Sequence, residues 1–416
     1  MIWQEFLVGL TNIYISTTNV EVFRMIEGKE GKHRSGVLHY GMVGGASGSL
    51  IGDVHRKGAA FDGQAQLVAG SFSRNFERTL LTGEQLGLDS ERLYRNYNEM
   101  AEKEGAREDG IDFVSIVTPN YAHYDAAKAF LLQGIHVVCD KPLTFTVEQA
   151  EELKQLADDK GLLFCVTYAY SQCVAVKQAQ MMVKNGDIGD IRVVVAEYPQ
   201  GWLATGLENE GNKQAEWRTD PAQAGISNSV GDIGSHIENT IAYITGLEID
   251  ELCARLDYFG GDNRPLDTNA FIMIKYKNGA VGNYWSSQVA IGYDNGLKVR
   301  IFGTKGSIEW YQETPNDLYT VKINGPFQRL TRGSGYFYPE AASMSRTPSG
   351  HPEGYYEMFA NTYMKFTTAL IKLKQGLKLG EDDLDFPDVT AGITGVKFIH
   401  RCVESSQKGA TWVKFD

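Results

Sequence analysis

Asp232 and His236, in Gly231-Asp232-Ile233-Gly234-Ser235-His236, are four residues apart and would share one face of a helical turn. A histidine beside a carboxylate is a common proton-transfer pair. The same two residues also suit a helix cap with a core histidine, or two metal ligands for which no third is evident. Lys141 follows an apolar strand in Cys139-Asp140-Lys141-Pro142, where its ammonium can reach the ligand edge of a sheet; a lone lysine is otherwise a surface residue. Gly44-Gly45-Ala46-Ser47-Gly48-Ser49-Leu50-Ile51-Gly52 stands between a strand and a helix. Glycines there let backbone approach a pyrophosphate, and the helix N–H groups and dipole receive its charge. The spacing is G-G-x-x-G-x-x-x-G instead of G-x-G-x-x-G, so the stretch alone also fits a plain tight turn.

Thr118-Pro119-Asn120-Tyr121-Ala122-His123 closes another apolar strand, at the edge where open α/β sheets bind ligands. There Asn120 also suits the N-cap of the next helix, which does not exclude cofactor contact. The acidic residue expected to hold an adenine ribose is not at the end of the second strand. Asp62 precedes that strand, which ends in Ser71-Phe72-Ser73-Arg74. Ser73 and Arg74 suit a 2′-phosphate, which puts NADP level with NAD. Arg74 alternatively stacks on adenine or stands in solvent at a helix start.

The elements that must position these residues follow from periodicity. Apolar runs at 37–45, 66–73, 111–119, 135–142 and 162–170 alternate with helical patterns at 49–61, 77–88, 122–134 and 146–161. Thr146 and Gln149 form a capping box, with Gly161 past the end of that helix. This alternation predicts a doubly wound parallel sheet, and continuous apolar strands predict that both faces are covered. After about residue 170 the pattern changes. A helix over 174–186 leads to a strand at 191–202 and a long polar loop over 204–230, and a second helix starts near Asp232. Asn278-Gly279 and Gly303 to Gly306 read as hairpin turns, so a second, α+β domain carries an antiparallel sheet. A loop over 332–352 and helices over 353–375 and 388–405 complete it.

The chain has 416 residues, 43% hydrophobic and 22% charged, which suits two or three folded domains and excludes general disorder. A net charge of −12 argues against a nucleic-acid partner. Five scattered cysteines without a CxxC pair read as reduced thiols of a cytoplasmic protein. No stretch reaches the roughly 20 apolar residues of a membrane helix, so no membrane partner is expected. Residues 1–36 lack the features of a signal peptide and read as an extension ahead of the first strand. The expected domains are therefore the extension 1–36, a nucleotide-binding domain 37–168 and a second domain 169–416.

Asp140-Lys141-Pro142, Asp232-x-x-x-His236, Trp217-Arg218-Thr219-Asp220-Pro221 and Gly303-Thr304-Lys305-Gly306-Ser307-Ile308-Glu309-Trp310, in this order, resemble the glucose–fructose oxidoreductase / inositol dehydrogenase / MocA family over residues 37–416. Asp140 stands where the family has glutamate. The glycine loop and Gly350-His351-Pro352-Glu353-Gly354-Tyr355 are similar to the branch with levoglucosan dehydrogenase. The resemblance implies a Rossmann domain followed by a domain with an open, largely antiparallel sheet through which copies associate as dimers or tetramers. It implies hydride transfer between NAD or NADP and a sugar, polyol or derivative, without a metal. Carried over, His236 is the acid/base, Lys141 holds the same substrate oxygen, and Asp232 orients His236 or binds a neighbouring hydroxyl. Gly44, Gly45, Ala46, Ser47, Gly48, Ser73, Arg74, Thr118, Pro119, Asn120, His123, Asp140 and Lys141 face the cofactor. Tyr168, Trp217, Arg218 and His351 join Lys141, Asp232 and His236 around the substrate, with His351 or Tyr168 next in line for the proton transfer. The other readings are a cofactor-binding sensor without turnover and a redox-assisted glycoside-cleaving enzyme.

Overall fold

A computed structural model describes residues 36–260 and 264–416. The extension expected over 1–36 lies outside the described residues except for Gly36.

The first sheet contains β1 (Leu38–Gly44), β2 (Ala65–Ser71), β3 (Phe113–Val117), β4 (His136–Cys139) and β5 (Phe164–Val166), all parallel, in the order β2-β1-β3-β4-β5. β3 and β5 are buried along their whole length, as continuous apolar runs require when helices cover both faces. The chain reverses its direction across the sheet at β1, so a crevice opens beyond the carboxyl ends of β1 and β3. The capping box on the helix Val147–Lys160 forms as expected, with Gly161 left-handed at its end. An additional helix, Tyr97–Ala106, lies in the long β2–β3 connection, capped by Asn96. Only Met100, Ala101 and Glu104 of it are buried, too few apolar positions to show a stripe.

Among the described residues the second sheet has nine strands, β6 (Ile191–Pro199), β7 (Ile249–Asp257), β8 (Asn269–Tyr276), β9 (Val281–Ser287), β10 (Lys298–Gly303), β11 (Gly306–Tyr311), β12 (Asp317–Lys322), β13 (Phe327–Thr331) and β14 (Val413–Lys414). Every neighbouring pair is antiparallel except β6 and β9. The expected hairpins join β8 to β9, with Gly279 at φ 89°, and β10 to β11. Burial alternates along β8 and β9. One face carries Ala270, Ile272, Ile274 and Tyr284 into a core shared with the helices Val174–Lys184, Ser235–Thr245 and Val389–Gln407. The other leaves Val193, Phe271, Met273 and Val281 exposed.

The stretch 204–230 is less of a loop than its polarity suggests. Asn212 caps a helix at Lys213–Arg218, and Asp220 caps a turn at Pro221–Ala224 with proline at its start. The 332–352 loop holds one short helix, Pro339–Ala342.

The helix Tyr355–Lys374 returns to the first sheet. It crosses the helix Leu50–Ala60 so closely that a Cβ on Gly58 would lie 2.9 Å from the Cβ of Phe359. His55, Ser115 and the hydroxyl of Tyr363 form a buried triangle of hydrogen bonds at that crossing.

Candidate active site

Asp232 and His236 sit where a π-wound turn, Val230–Gly234, passes into the helix Ser235–Thr245. Lys141 reaches them from the end of β4. Its Nζ donates to Asp232 Oδ1 at 2.9 Å and to the Asp232 carbonyl at 2.7 Å. The other carboxylate oxygen, Oδ2, accepts from Arg218 Nε at 3.1 Å and Gln288 Nε2 at 2.9 Å. Burial alone would raise the Asp232 pKa. The Arg218 and Lys141 charges overcome that and hold it well below the usual carboxylate range.

His236 takes no part in this ion cluster. Its Nδ1 is buried without a hydrogen-bond partner among the described residues, so the expected carboxylate–histidine bond is absent. Its ring stands edge-on to Tyr168 and Tyr170, with centroids 5.5 and 4.8 Å away, and lies near Tyr198. Burial, then the Lys141 charge, pushes its pKa well below the ordinary histidine value, against a smaller opposing pull from Asp232. The imidazole is therefore neutral at pH 7 and can accept a proton.

Of the residues expected around the substrate, Arg218 lies over the rings of Trp217 and Trp202, at 4.2 and 5.8 Å from their centroids. Tyr168 is turned the other way. Its hydroxyl fills the space beside Gly395, where a Cβ would meet it at 2.2 Å, and it is fully buried. His351 is exposed, and its carbonyl ties the 332–352 loop to Arg332 and Thr347. Neither hydroxyl nor imidazole of these two joins the Lys141–Asp232 cluster.

On the nucleotide side the glycine loop ends β1. Gly48 has φ 87° and nothing within 4 Å of where a Cβ would stand, so the backbone is bare on its outer side. Gly45 and Gly52 press together; a Cβ on Gly52 would lie 2.5 Å from Gly45 Cα. Ser49 caps the helix that follows, and Ser47 N–H is held by Thr82 Oγ1. Thr118 Oγ1, at the end of β3, is buried without a partner. Arg74 is exposed, and Ser73 Oγ accepts from Asn75 N–H. Asp140 Oδ1 accepts from Lys141 N–H and the Thr167 hydroxyl.

Two residues of the β3 edge are differently employed from the sequence expectation. Asn120 is not an N-cap; its amide donates to the Ala224 carbonyl and ties this edge to the second half of the chain. His123 is fully buried with Nδ1 against the Pro142 carbonyl and Nε2 against the Thr118 carbonyl, which leaves no ring nitrogen for a cofactor. It instead spaces the ends of β3 and β4. Asp62, already out of place in the sequence, pairs with Arg346. Among the described residues no group of three or more His, Cys, Asp or Glu side chains is placed to hold a metal.

Residues 38–168 match the model of an oxidoreductase family with an NAD-binding Rossmann fold, and residues 176–309 match the GFO/IDH/MocA C-terminal domain. Oxidoreductase YfiI of Bacillus subtilis is 41% identical over 381 residues, covering 91% of this chain and 97% of its own. The chain belongs to the Gfo/Idh/MocA oxidoreductase family. The resemblance drawn from the sequence motifs is thus borne out. An inositol dehydrogenase homologue from Azotobacter vinelandii, complexed with NAD+, superposes with a TM-score of 0.87 at 37% identity, over 91% of this chain and 98% of its own. Its complex with NADH and myo-inositol gives 0.84 at 36% identity with the same coverage. Levoglucosan dehydrogenase from Pseudarthrobacter phenanthrenivorans is 30% identical over 230 residues, 50% of this chain and 57% of its own.

Sequence reasoning passed over several residues of this Gfo/Idh/MocA site. Tyr170 and Tyr198 share a hydrogen bond of 2.8 Å, and both meet Asn295, which also receives the Gln200 amide; Gln200 in turn accepts from the Trp202 indole. Tyr355, first residue of its helix, lies against Tyr170. Tyr170 had a legible signal, since it follows β5 at the same sheet edge as Lys141. Gln288 and Asn295 had none, because only the folding of the second sheet brings the first to Asp232 and the second to Tyr170 and Tyr198.

Proposed function

We propose that this protein is an NAD(P)-dependent dehydrogenase that oxidises a CH–OH group of a sugar, polyol or sugar derivative. The observation that carries the reading is the Lys141–Asp232 cluster with a neutral His236 beside it, at the carboxyl edge of the NAD-binding sheet. The kinship to an inositol dehydrogenase homologue that binds NAD+, and NADH with myo-inositol, supports both cofactor and substrate class.

The nucleotide side fits such a cofactor. The bare backbone at Gly48, the helix N-terminus at Leu50 and the unpartnered Thr118 hydroxyl suit a pyrophosphate and its ribose. We assign Gly44, Gly45, Ala46, Ser47, Gly48, Thr118, Pro119, Asp140 and Lys141 to this side, with Ser73 and Arg74 toward the adenosine end. When bound, the nicotinamide supplies the hydride acceptor. His236 takes the hydroxyl proton through Nε2, since Nδ1 is buried. Lys141 binds the same oxygen and favours its developing negative charge. The carbinol C–H electron pair leaves as hydride, the O–H proton passes to His236, and a carbonyl remains.

Five buried free cysteines fit a reducing, cytoplasmic setting. The uncovered apolar face of the second sheet fits association of copies into a dimer or tetramer. Among the described residues no helix is long and apolar enough to cross a membrane.

The test is a panel of sugars, inositols and anhydrosugars with NAD+ and NADP+, followed by nicotinamide absorbance. A substrate-dependent rise that is lost in His236→Ala supports the reading. Cofactor binding with no response to any member of the panel favours a sensor. Release of free sugar without net reduced cofactor favours glycoside cleavage.

A further inference from the structure

We propose that Arg218 and Gln288 are positioning residues that hold Oδ2 of Asp232 while Lys141 holds Oδ1, so that both oxygens are committed to the lysine side of the site and the imidazole of His236 is left without a carboxylate partner. The proposal rests on the reading of Lys141 and His236 given above. In many histidine sites a carboxylate binds one ring N–H, fixing the tautomer and stabilising the imidazolium. Here a carboxylate stands four residues from the histidine, and three donors occupy it from three remote segments. Lys141 follows β4, Arg218 ends the helix Lys213–Arg218, and Gln288 follows β9.

Each of the two new holders is itself held. Arg218 stacks on Trp217 and donates through Nη1 to Gln214 Oε1 at 2.6 Å, so its Nε points in a fixed direction. Gln288 is fully buried. Its backbone N–H is on the Thr268 carbonyl, its amide N–H is on Asp232, and its amide oxygen has no partner among the described residues. Burying an unpaired acceptor costs stability, because the water it loses is not replaced. A site with no use for the amide donor would be more stable with an apolar side chain there. The orphan oxygen therefore points to a role for the donor.

The consequence is a division of labour. Two cations share one carboxylate, so the lysine side keeps a positive balance toward a developing alkoxide. His236 faces Lys141 from the end of β4, Asp232 from its own segment, the phenols of Tyr168 and Tyr170 after β5 and of Tyr198 on β6, with Tyr355 behind Tyr170. None of these offers its Nδ1 an acceptor.

The experiment is the NMR titration of the His236 ring in protein carrying labelled histidine, without cofactor or sugar, with the signal assigned by its loss in His236→Gln. It compares wild type with Arg218→Lys, Arg218→Gln and the nearly isosteric, donor-free Gln288→Met. Relieved of one of its two donors, Oδ2 should turn toward His236 Nδ1. The midpoint should then move upward in Arg218→Gln and in Gln288→Met, and part of the way in Arg218→Lys. With a substrate in hand, the ratio of kcat at pH 6 to kcat above pH 9, taken within each protein, should fall about tenfold in the same two variants relative to wild type. Gln288→Met alters no charge, so an upward shift there cannot come from removing a nearby cation. A midpoint that moves only in Arg218→Gln would show a Coulombic effect and overturn the proposal, as would no movement in any variant. Because the ring titrates without turnover, a negative sugar panel would overturn the redox reading and leave this result standing.

Discussion

The glycine loop and the Lys141–Asp232 cluster are built on opposite plans. The loop is made from nine consecutive residues, Gly44 to Gly52, and its shape is local: positive φ at three glycines, a serine cap and a glycine-to-glycine contact. The cluster joins Lys141, Arg218, Asp232 and Gln288, which meet only when both sheets are formed. In the loop each residue's duty follows from its own backbone. In the cluster a residue's duty depends on how many donors reach it. Asp232, beside a histidine in sequence, is bonded to Lys141, Arg218 and Gln288 and not to that histidine.

The sharpest way to break the comparison is His236→Ala. A base placed on the reacting hydroxyl contributes about 10²–10⁴-fold, so on the proposed mechanism kcat should fall by that order while cofactor affinity, which the proposal assigns to the loop, stays within about twofold. Isothermal titration with cofactor and steady-state kinetics measure the two separately. An unchanged kcat, with chemistry shown to limit the rate, would move the proton transfer elsewhere.

On the proposed mechanism Lys141→Ala should reduce kcat and also raise KM, because there the ammonium binds the same oxygen in the ground state. Its removal also leaves Asp232 paired with Arg218 alone among the cations. The double variant with His236→Ala should cost less in free energy than the two singles summed. High pH should rescue the histidine variant in part and the lysine variant not at all. Full additivity would mean that the two residues serve different atoms.

Gly52→Ala tests the other region. Its Cβ would overlap backbone at Gly45, so the loop must shift. Cofactor Kd should rise about tenfold, with kcat at saturating cofactor nearly unchanged. A fall in kcat with unaltered Kd would mean that loop and cluster are not separable.

Glu238 lies on the cluster's helix but outside its donor set. Burial, unopposed by any charge, pushes its pKa up to about 8. The folded protein therefore binds a proton that the unfolded chain, with an ordinary glutamate, has released above pH 5. Stability from this group is full below the unfolded pKa and is lost as pH rises toward 8. Between pH 6 and pH 8 the loss should be about 2 kcal/mol, and Glu238→Gln should flatten it. Urea melts at the two pH values give the answer; equal slopes in both proteins would mean that Glu238 is charged in the fold.

Arg74→Ala is the mildest change. It should weaken NADP+ binding several-fold more than NAD+ binding, since only the former offers a 2′-phosphate to the guanidinium. Equal effects would remove Arg74 from cofactor selection.

The doubly wound sheet, the hairpins and the capping box at Thr146 were legible because each is written in adjacent residues: apolar period, turn pairs, caps. So was the gathering of Lys141 and the glycine loop on one sheet edge, since the ends of parallel strands share a side. The choice among neighbouring residues was not legible. Tyr168 and Tyr170 both follow β5, yet the first hydroxyl faces Gly395 in the core and the second joins Tyr198 and Asn295 beside His236. A helix packing at 389–407 decides that, and no local pattern records it.

By itself, then, the sequence determined the element order, the family motifs and the chemistry available at the site. Tertiary structure decided which groups are paired and which are left alone. Asp232 is ionised because Arg218 and Lys141 arrive on it, and His236 is neutral because burial removes the water that would stabilise its charge. Pairing and burial are sums over groups far apart in the chain, so they come into being only when the chain has folded.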